Sequence, residues 1–323
     1  MAGLCIAHEL ARRGRRVLVF EDPSSPTASS VAAGLLQVAG GRISIKHLQL
    51  RQACWNAYPK FLQRLNLPFE RKTHVRLAKS LDSAQGFAST LRGLGVEVQA
   101  QSADELEQRF SLTTPHSGAT SEAASVDPRS LLSTLRQDLN SRGVEWLFRS
   151  IVSVRTGEAV DSEGMSHKAR GIFLACGAGL ARLWRPGWEL QLESGAGASF
   201  RGEHRLAVSV EKPWSGQLFV PSEGGWRGHG NTEELVGLAG ERLWEQSAQR
   251  AHPPDGLPIV GELSSGVYVL GGLGRNGLLT APYLAQAVVK MNQDGETPSW
   301  LEGFAPDRPG IGFKRAWSRQ ARE

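Results

Sequence analysis

Cysteine is scarce: Cys5, Cys54 and Cys176 are the only three in a chain of 323 residues. They share neither a paired nor a metal-like spacing. That excludes a disulfide scaffold and a thiolate metal site, and it fits a reducing cytoplasm. Long hydrophobic runs are also missing. No stretch approaches the about 18 consecutive apolar residues of a membrane-spanning helix, so none is expected. Charge of one sign is thin as well, with a net excess of +5 spread along the chain. The arginines form no block and do not interleave with aromatics, so a solvated basic surface is expected ahead of a nucleic-acid stripe. The eight histidines (His8, His47, His74, His116, His167, His204, His229, His252) are scattered and make no metal-spaced cluster.

What is present is a glycine-rich globular sequence, long enough for two closely packed domains. Its first residues carry Glu9 and then a run of arginines after the apolar part. A secretory signal puts its positive charge first, so this segment reads as structure. Leu4, Ile6, Ala7, Leu10 and Ala11 recur at helical spacing, and Arg12-Arg13-Gly14 supplies a basic last turn with a glycine stop. Val17-Leu18-Val19-Phe20 is then a continuous apolar run ending in Glu21, as in a buried parallel strand.

Further on, Trp55, Tyr58, Phe61, Leu62 and Leu65 mark a helix, and residues 73–78 alternate like a strand. Asp127-Pro128 predicts a helix start, because aspartate caps and proline suits the first helical position. Ile172-Phe173-Leu174-Ala175-Cys176 predicts a second buried strand, with Cys176 in the core, closed by Gly177-Ala178-Gly179. A strand is expected over Val267-Tyr268-Val269-Leu270. After it, Gly271-Gly272 opens a loop, and a helix runs from Leu278 with Pro282 in its first turn. The fold class expected is α/β: a Rossmann-like domain over 1–46, 121–184 and 250–323, interrupted by a mixed or antiparallel sheet domain over 47–120 and 185–249.

A dinucleotide fold needs a tight glycine turn, a helix whose N-terminus faces the pyrophosphate, and an acidic residue about 20 positions on for the ribose. Gly3 stands as the third glycine of such a motif and Glu21 as the acidic residue. The first two glycines and the preceding strand fall before Met1, so the chain is expected to begin inside the motif.

Two later segments are more specific. Arg250-Ala-His-Pro-Pro-Asp255-Gly256-Leu257-Pro258-Ile259-Val260-Gly261 is followed by Gly272-Leu273-Gly274-Arg275-Asn276-Gly277-Leu278-Leu279-Thr280-Ala281-Pro282. Together they resemble the C-terminal signature of the D-amino-acid oxidase/glycine oxidase family of flavoenzymes. In the family's order come Ala28-Ser29-Ser30-Val31-Ala32-Ala33-Gly34-Leu35, resembling its flavin-contacting turn, and Val126-Asp127-Pro128. Leu174-Ala175-Cys176-Gly177-Ala178 and Gly230-Asn231-Thr232-Glu233-Glu234, each resembling a strand end, complete the set.

The resemblance implies FAD as cofactor and oxidation of an amine or amino-acid-like substrate. Hydride passes from the substrate Cα–H to flavin N5, water hydrolyses the imine, and dioxygen or another acceptor takes the electrons. It implies cofactor contacts at Gly3, Glu21, Ser29, Ser30, Ala33, Gly34, Leu35, Ile151, Gly177, Gly272, Gly274, Asn276, Gly277 and Leu278. Arg250 and Arg275 become the residues that orient the substrate, since a guanidinium fork pairs with a carboxylate through two parallel bonds. The plainer role for Arg250 is a salt bridge, with Asp255 the expected partner. The family's loop histidine is replaced here by Leu273 and Gly274. Its tyrosine before the substrate-domain proline is replaced by Leu218, which makes a larger or more apolar amine as suitable as glycine. Two other readings stand beside this one. One is a related flavin domain acting on a modified tRNA wobble uridine; the other is a truncated, non-catalytic chain unable to hold FAD.

Overall fold

A helix leading into a short apolar strand is the unit from which parallel pairing is built. In the computed structural model, which describes residues 1–22, 27–41, 44–183, 190–230, 232–237 and 240–311, the helix Ala2–Arg12 leads into the strand Leu18–Phe20. The helix buries Leu4, Cys5, Ile6 and Ala7, and Gly14 ends it with φ +69°. Leu18–Phe20 pairs parallel with Glu145–Leu147, the strand that follows the helix Pro128–Ser141. That second helix is capped as its sequence predicts: Asp127 Oδ1 accepts the Ser130 N–H at 2.8 Å.

The chain divides into two compact units, 1–28, 132–194 and 249–323 against 29–131 and 195–248. Residues 29–46 and 121–131, grouped with the nucleotide domain on sequence grounds, fall in the second unit. Strand pairing accounts for this, because Leu35–Gln37 and Ser117–Ser125 hydrogen-bond each other within its sheet.

In the first unit, Ile172–Leu174 pairs parallel with Val267–Gly271, which pairs antiparallel with Ile259–Ser264. The helix Gly277–Asp294 packs on these strands and on Ala2–Arg12. A small antiparallel sheet of Ile151–Arg155, Glu158–Asp161 and Ser166–Lys168 joins the core through Val154 and Ala159, beside Leu174, Leu180, Ile259, Val267 and Val269.

Three expectations need correcting in this unit. The apolar runs at 17–20 and 172–176 form strands of three residues each, and Leu18 is 39% exposed. Each pairs on one side only among the described residues, so neither is buried as a central strand would be. Cys176 lies beyond the strand end, at the start of a 3-10 turn, and its residue is exposed rather than in the core. Pro282 stands in the second turn of its helix, because the helix already begins at Gly277.

The second unit contains most of a nine-stranded sheet, whose strands Gln191–Arg201 and Glu241–His252 keep residues 191–194 and 249–252 in the first unit. Its path runs Glu241–His252, Gln191–Arg201, Gly225–His229, Gln217–Ser222, Ser209–Lys212, Glu70–Ala78, Ser117–Ser125 and Leu35–Gln37, with Val98–Gln101 also on Ser117–Ser125. Ser209–Lys212 and Glu70–Ala78 form a parallel pair. Val75, Leu77, Val210, Phe219, Trp226 and Phe200 make the core on one face. The helix Ile45–Gln63 buries Trp55, Tyr58, Phe61 and Leu62, the residues whose spacing predicts it. The strand Gly225–His229 ends before the Gly230–Glu234 motif, of which Asn231 and the side chains of Thr232 and Glu233 lie outside the described residues.

Candidate active site

Glu21 follows the strand Leu18–Phe20 and is fixed by its backbone N–H, which donates to Leu147 O at 3.0 Å. Its Oε1 accepts from Arg136 Nη2, and Arg136 lies over the Trp146 ring at 5.1 Å. Its Oε2 is buried without a hydrogen-bond partner. A buried carboxylate oxygen left without a donor costs free energy, which a donor brought to it would recover. Gly3 lies in the first turn of Ala2–Arg12, where an added Cβ would stand 3.6 Å from the Ala175 Cβ. That is ordinary van der Waals contact, and it places the helix start on the end of the strand Ile172–Leu174. The helix has no acidic residue in its first turn and no side-chain cap.

The second helix start has the same character. A 3-10 turn, Gly274–Asn276, intervenes between the strand and the helix Gly277–Asp294, and Asn276 caps the helix without a side-chain hydrogen bond. Its first turn carries no acidic residue, so its end-on N–H groups present positive potential. At Gly277 an added Cβ would meet nothing closer than 3.5 Å, and at Gly177 nothing within 4 Å. Gly272 differs, since φ +64° and Pro253 Cδ at 2.8 Å from its would-be Cβ make glycine a requirement of the fold itself. At Gly274, also at positive φ, an added Cβ would stand 3.5 Å from the His252 Cβ. Leu278 is buried, and Ile151 packs on the first unit's core cluster.

Arg250, on the strand Glu241–His252, and Arg275, in the 3-10 turn, converge on one atom within the first unit. Arg250 Nη2 lies 3.4 Å and Arg275 Nη2 3.1 Å from Oε1 of Glu193. Glu193 stands on the neighbouring strand, Gln191–Arg201. Burial lowers the pKa of Arg250, against the opposing charge of Glu193. For Glu193, burial works against ionisation. It is outweighed by the hydrogen bond from Arg275 and the charges of Arg250, Arg275 and His252, which hold the carboxyl below its ordinary value. Arg250 Nε is buried with no acceptor.

The expected Arg250–Asp255 salt bridge is not formed. Asp255 is taken by Arg308, which also donates to the carbonyls of Leu257, Pro258, Phe304 and Ala305. Sequence reasoning missed Glu193, Arg136 and Arg308. Each lies far along the chain from its partner, and no local spacing announces it.

In the second unit, Ser29, Ser30, Ala33 and Leu35 are half-buried and lie in or beside the turn that precedes the strand Leu35–Gln37. Gly34 there has φ +87°, and an added Cβ would sit 1.9 Å from the Val126 carbonyl oxygen. Close packing on the chain's own backbone therefore accounts for this glycine. On the same unit's sheet His74 is buried against Ser209 at 2.9 Å, and Arg227 is buried beside Asp127. No group of His, Cys, Asp and Glu among the described residues could hold a metal.

The model of the FAD dependent oxidoreductase family, DAO, matches residues 1–226. The chain belongs to this family. As a member it is an FAD-dependent enzyme, and the orphan oxygen of Glu21 and the two uncapped helix starts fit that cofactor. Among solved structures, glycine oxidase from Geobacillus kaustophilus is similar, with TM-score 0.83 and 23% identity over 95% of each chain. Glycine oxidase from Bacillus cereus ATCC 14579 gives TM-score 0.79 at 18% identity, covering 98% of this chain and 97% of that one. L-proline dehydrogenase from P. horikoshii gives 0.79 at 14%, over 94% of each. These likenesses establish the fold. No curated protein matches by sequence. No helix among the described residues is long and apolar enough to cross a membrane.

Proposed function

We propose that this oxidoreductase oxidises an amino acid or a small amine at the carbon bearing nitrogen. The observation that carries the reading is the convergence of Arg250 and Arg275 on a single carboxylate oxygen. Two guanidinium groups aimed at one carboxylate are what recognition of an α-carboxylate needs. Support also comes from the similar structures, which include glycine oxidase, L-proline dehydrogenase and iminodiacetate oxidase.

In this reading the helix start at Gly3 would hold the pyrophosphate, and Glu21 Oε2 would accept from a ribose hydroxyl. The N–H groups at Gly277 and Leu278 would hold the electron-accepting ring, the Asn276 N–H being engaged by Leu273 O at 3.1 Å, and a helix N-terminus favours negative charge there by about 0.3–1 kcal/mol. Gly177 and Gly277 leave space that a side chain would fill. Bound FAD would supply the two-electron oxidation at the substrate carbon that bears nitrogen. Arg250 holds the carboxylate so that this C–H bond has one orientation, and no side-chain base is required. Two-electron oxidation of such a substrate would leave a C=N bond formed with the nitrogen lone pair, and water would hydrolyse that imine to a carbonyl compound and ammonia or an amine. Dioxygen or another acceptor receives the electrons.

The test is anaerobic mixing of the FAD-loaded chain with a panel of amino acids and their decarboxylated amines. Loss of the oxidised-flavin absorbance with at least one of them supports the reading. A fully loaded protein that stays oxidised across the panel would overturn it.

A further inference from the structure

Two arginines assigned to a substrate carboxylate are already occupied by a carboxylate of the chain itself. We propose that Glu193 is an internal occupant of this site, which a substrate carboxylate must displace from Arg250, and that it thereby sets the affinity for carboxylate-bearing substrates. The inference rests on Arg250 being the carboxylate clamp.

The geometry distinguishes occupancy from a finished structural ion pair. Glu193 reaches Arg250 through one oxygen only, at 3.4 Å, beyond the length of a good charge-assisted hydrogen bond. The adjacent donor, Arg250 Nε, is buried and has no acceptor. Compare Arg308 and Asp255, where Nε and Nη2 each find an oxygen within 3.0 Å. The Nε–Nη2 edge of Arg250 is therefore only partly used. A free carboxylate arriving at that edge would satisfy both donors at once.

The local structure gives Glu193 somewhere to go. Its side chain is 37% exposed, and that of Arg275 is 50% exposed, whereas Arg250 is the more enclosed at 22%. Glu193 can move outward with Arg275 while Arg250 stays. The charge count agrees: two guanidinium groups and one carboxylate leave one positive charge, which a single substrate carboxylate neutralises. With Glu193 still on Arg250, the incoming anion would meet a like charge and a blocked donor.

The experiment compares wild type, Glu193→Gln and Arg250→Ala, each as the full FAD-loaded chain, by calorimetric titration with acetate and with benzoate. KM for a responding amino acid is measured alongside. Removing the competing charge should tighten carboxylate binding by about five- to tenfold, the range of a partly exposed charge pair of about 1 kcal/mol. KM should fall by a similar factor, and methylammonium, which has no carboxylate, should show no such gain. Unchanged or weaker acetate and benzoate binding in Glu193→Gln would overturn the proposal, because a glutamate that merely orients Arg250 gives that result. Glutamine is nearly isosteric, and FAD content with the melting profile checks that the variant is folded. If it is not, Glu193→Asp, which withdraws the carboxylate by one methylene, should move affinity in the same direction. Arg250→Ala separates the two readings. Weaker binding there without tightening in Glu193→Gln removes only the role of Glu193, whereas no weakening removes the clamp itself.

Discussion

Arg308 grips Asp255 with two parallel hydrogen bonds, Nε to Oδ2 at 2.8 Å and Nη2 to Oδ1 at 3.0 Å. Asp255 Oδ1 also accepts the Leu257 N–H at 3.0 Å, so the pair closes the turn that follows Arg250. Arg308 donates to four backbone carbonyls as well, all near its buried guanidinium. Arg308→Ala should lower unfolding free energy by about 3 kcal/mol, since it takes the guanidinium donors away from the Asp255 carboxylate and four carbonyls. Arg308→Lys should recover little, because an ammonium cannot reproduce the fork. Denaturant midpoints at constant slope measure both.

Local chemistry was legible in the sequence and long-range pairing was not. The Asp127 cap, the Gly14 stop and the helix carrying Trp55, Tyr58 and Phe61 follow from residues within one or two turns of each other. Asp255 has its partner 53 positions away and Arg275 has Glu193 82 away. Proximity in sequence suggested Arg250 for Asp255, and the fold brought Arg308 instead. The stretch around Gly34 resembles a flavin-contacting turn, and the fold adds a requirement for that glycine which the sequence does not announce, the nearby Val126 carbonyl. The short apolar runs signalled strands correctly but overstated their burial, because apolarity records what a residue tolerates and not how many neighbours its strand acquires.

Gly34 combines φ +87° with a carbonyl 1.9 Å from where a Cβ would lie. Gly34→Ala should therefore destabilise the second unit by more than about 2 kcal/mol, through both strain and overlap. Gly177→Ala meets nothing within 4 Å and bears only the cost of positive φ, so its thermal shift should be smaller. Paired melting curves of the two variants decide this.

Glu21 should matter to the cofactor more than to the fold. A hydroxyl donating to Oε2 satisfies an atom that is otherwise buried and unpartnered. Glu21→Ala should weaken FAD binding by about tenfold or more, the value of a charge-assisted hydrogen bond. Titration of the cofactor-stripped protein with FAD, followed by fluorescence, gives the ratio directly.

Asp161 gives a pH-dependent stability. His167 Nε2 at 3.0 Å holds its carboxyl well below the usual range, outweighing burial. The backbone N–H of Met165, the Arg149 guanidinium and the Glu163 N–H add to this. A carboxyl depressed in the folded state stabilises fully above its unfolded value of about 4 and loses that contribution as pH falls toward the folded value. Asp161→Asn should melt below wild type at pH 7, and the gap should narrow as pH drops below about 4. A gap that is constant across that range would mean the effect is not ionic.

The assignment of Arg250 to the substrate carboxylate is tested most directly by kcat/KM of Arg250→Ala against wild type, for a responding amino acid and for its decarboxylated amine. Removing one partner of an enclosed charge pair costs about 2–5 kcal/mol, so the amino acid should lose about 30-fold or more in kcat/KM while the amine changes little. Equal kcat/KM for the amino acid in the two proteins would contradict the account.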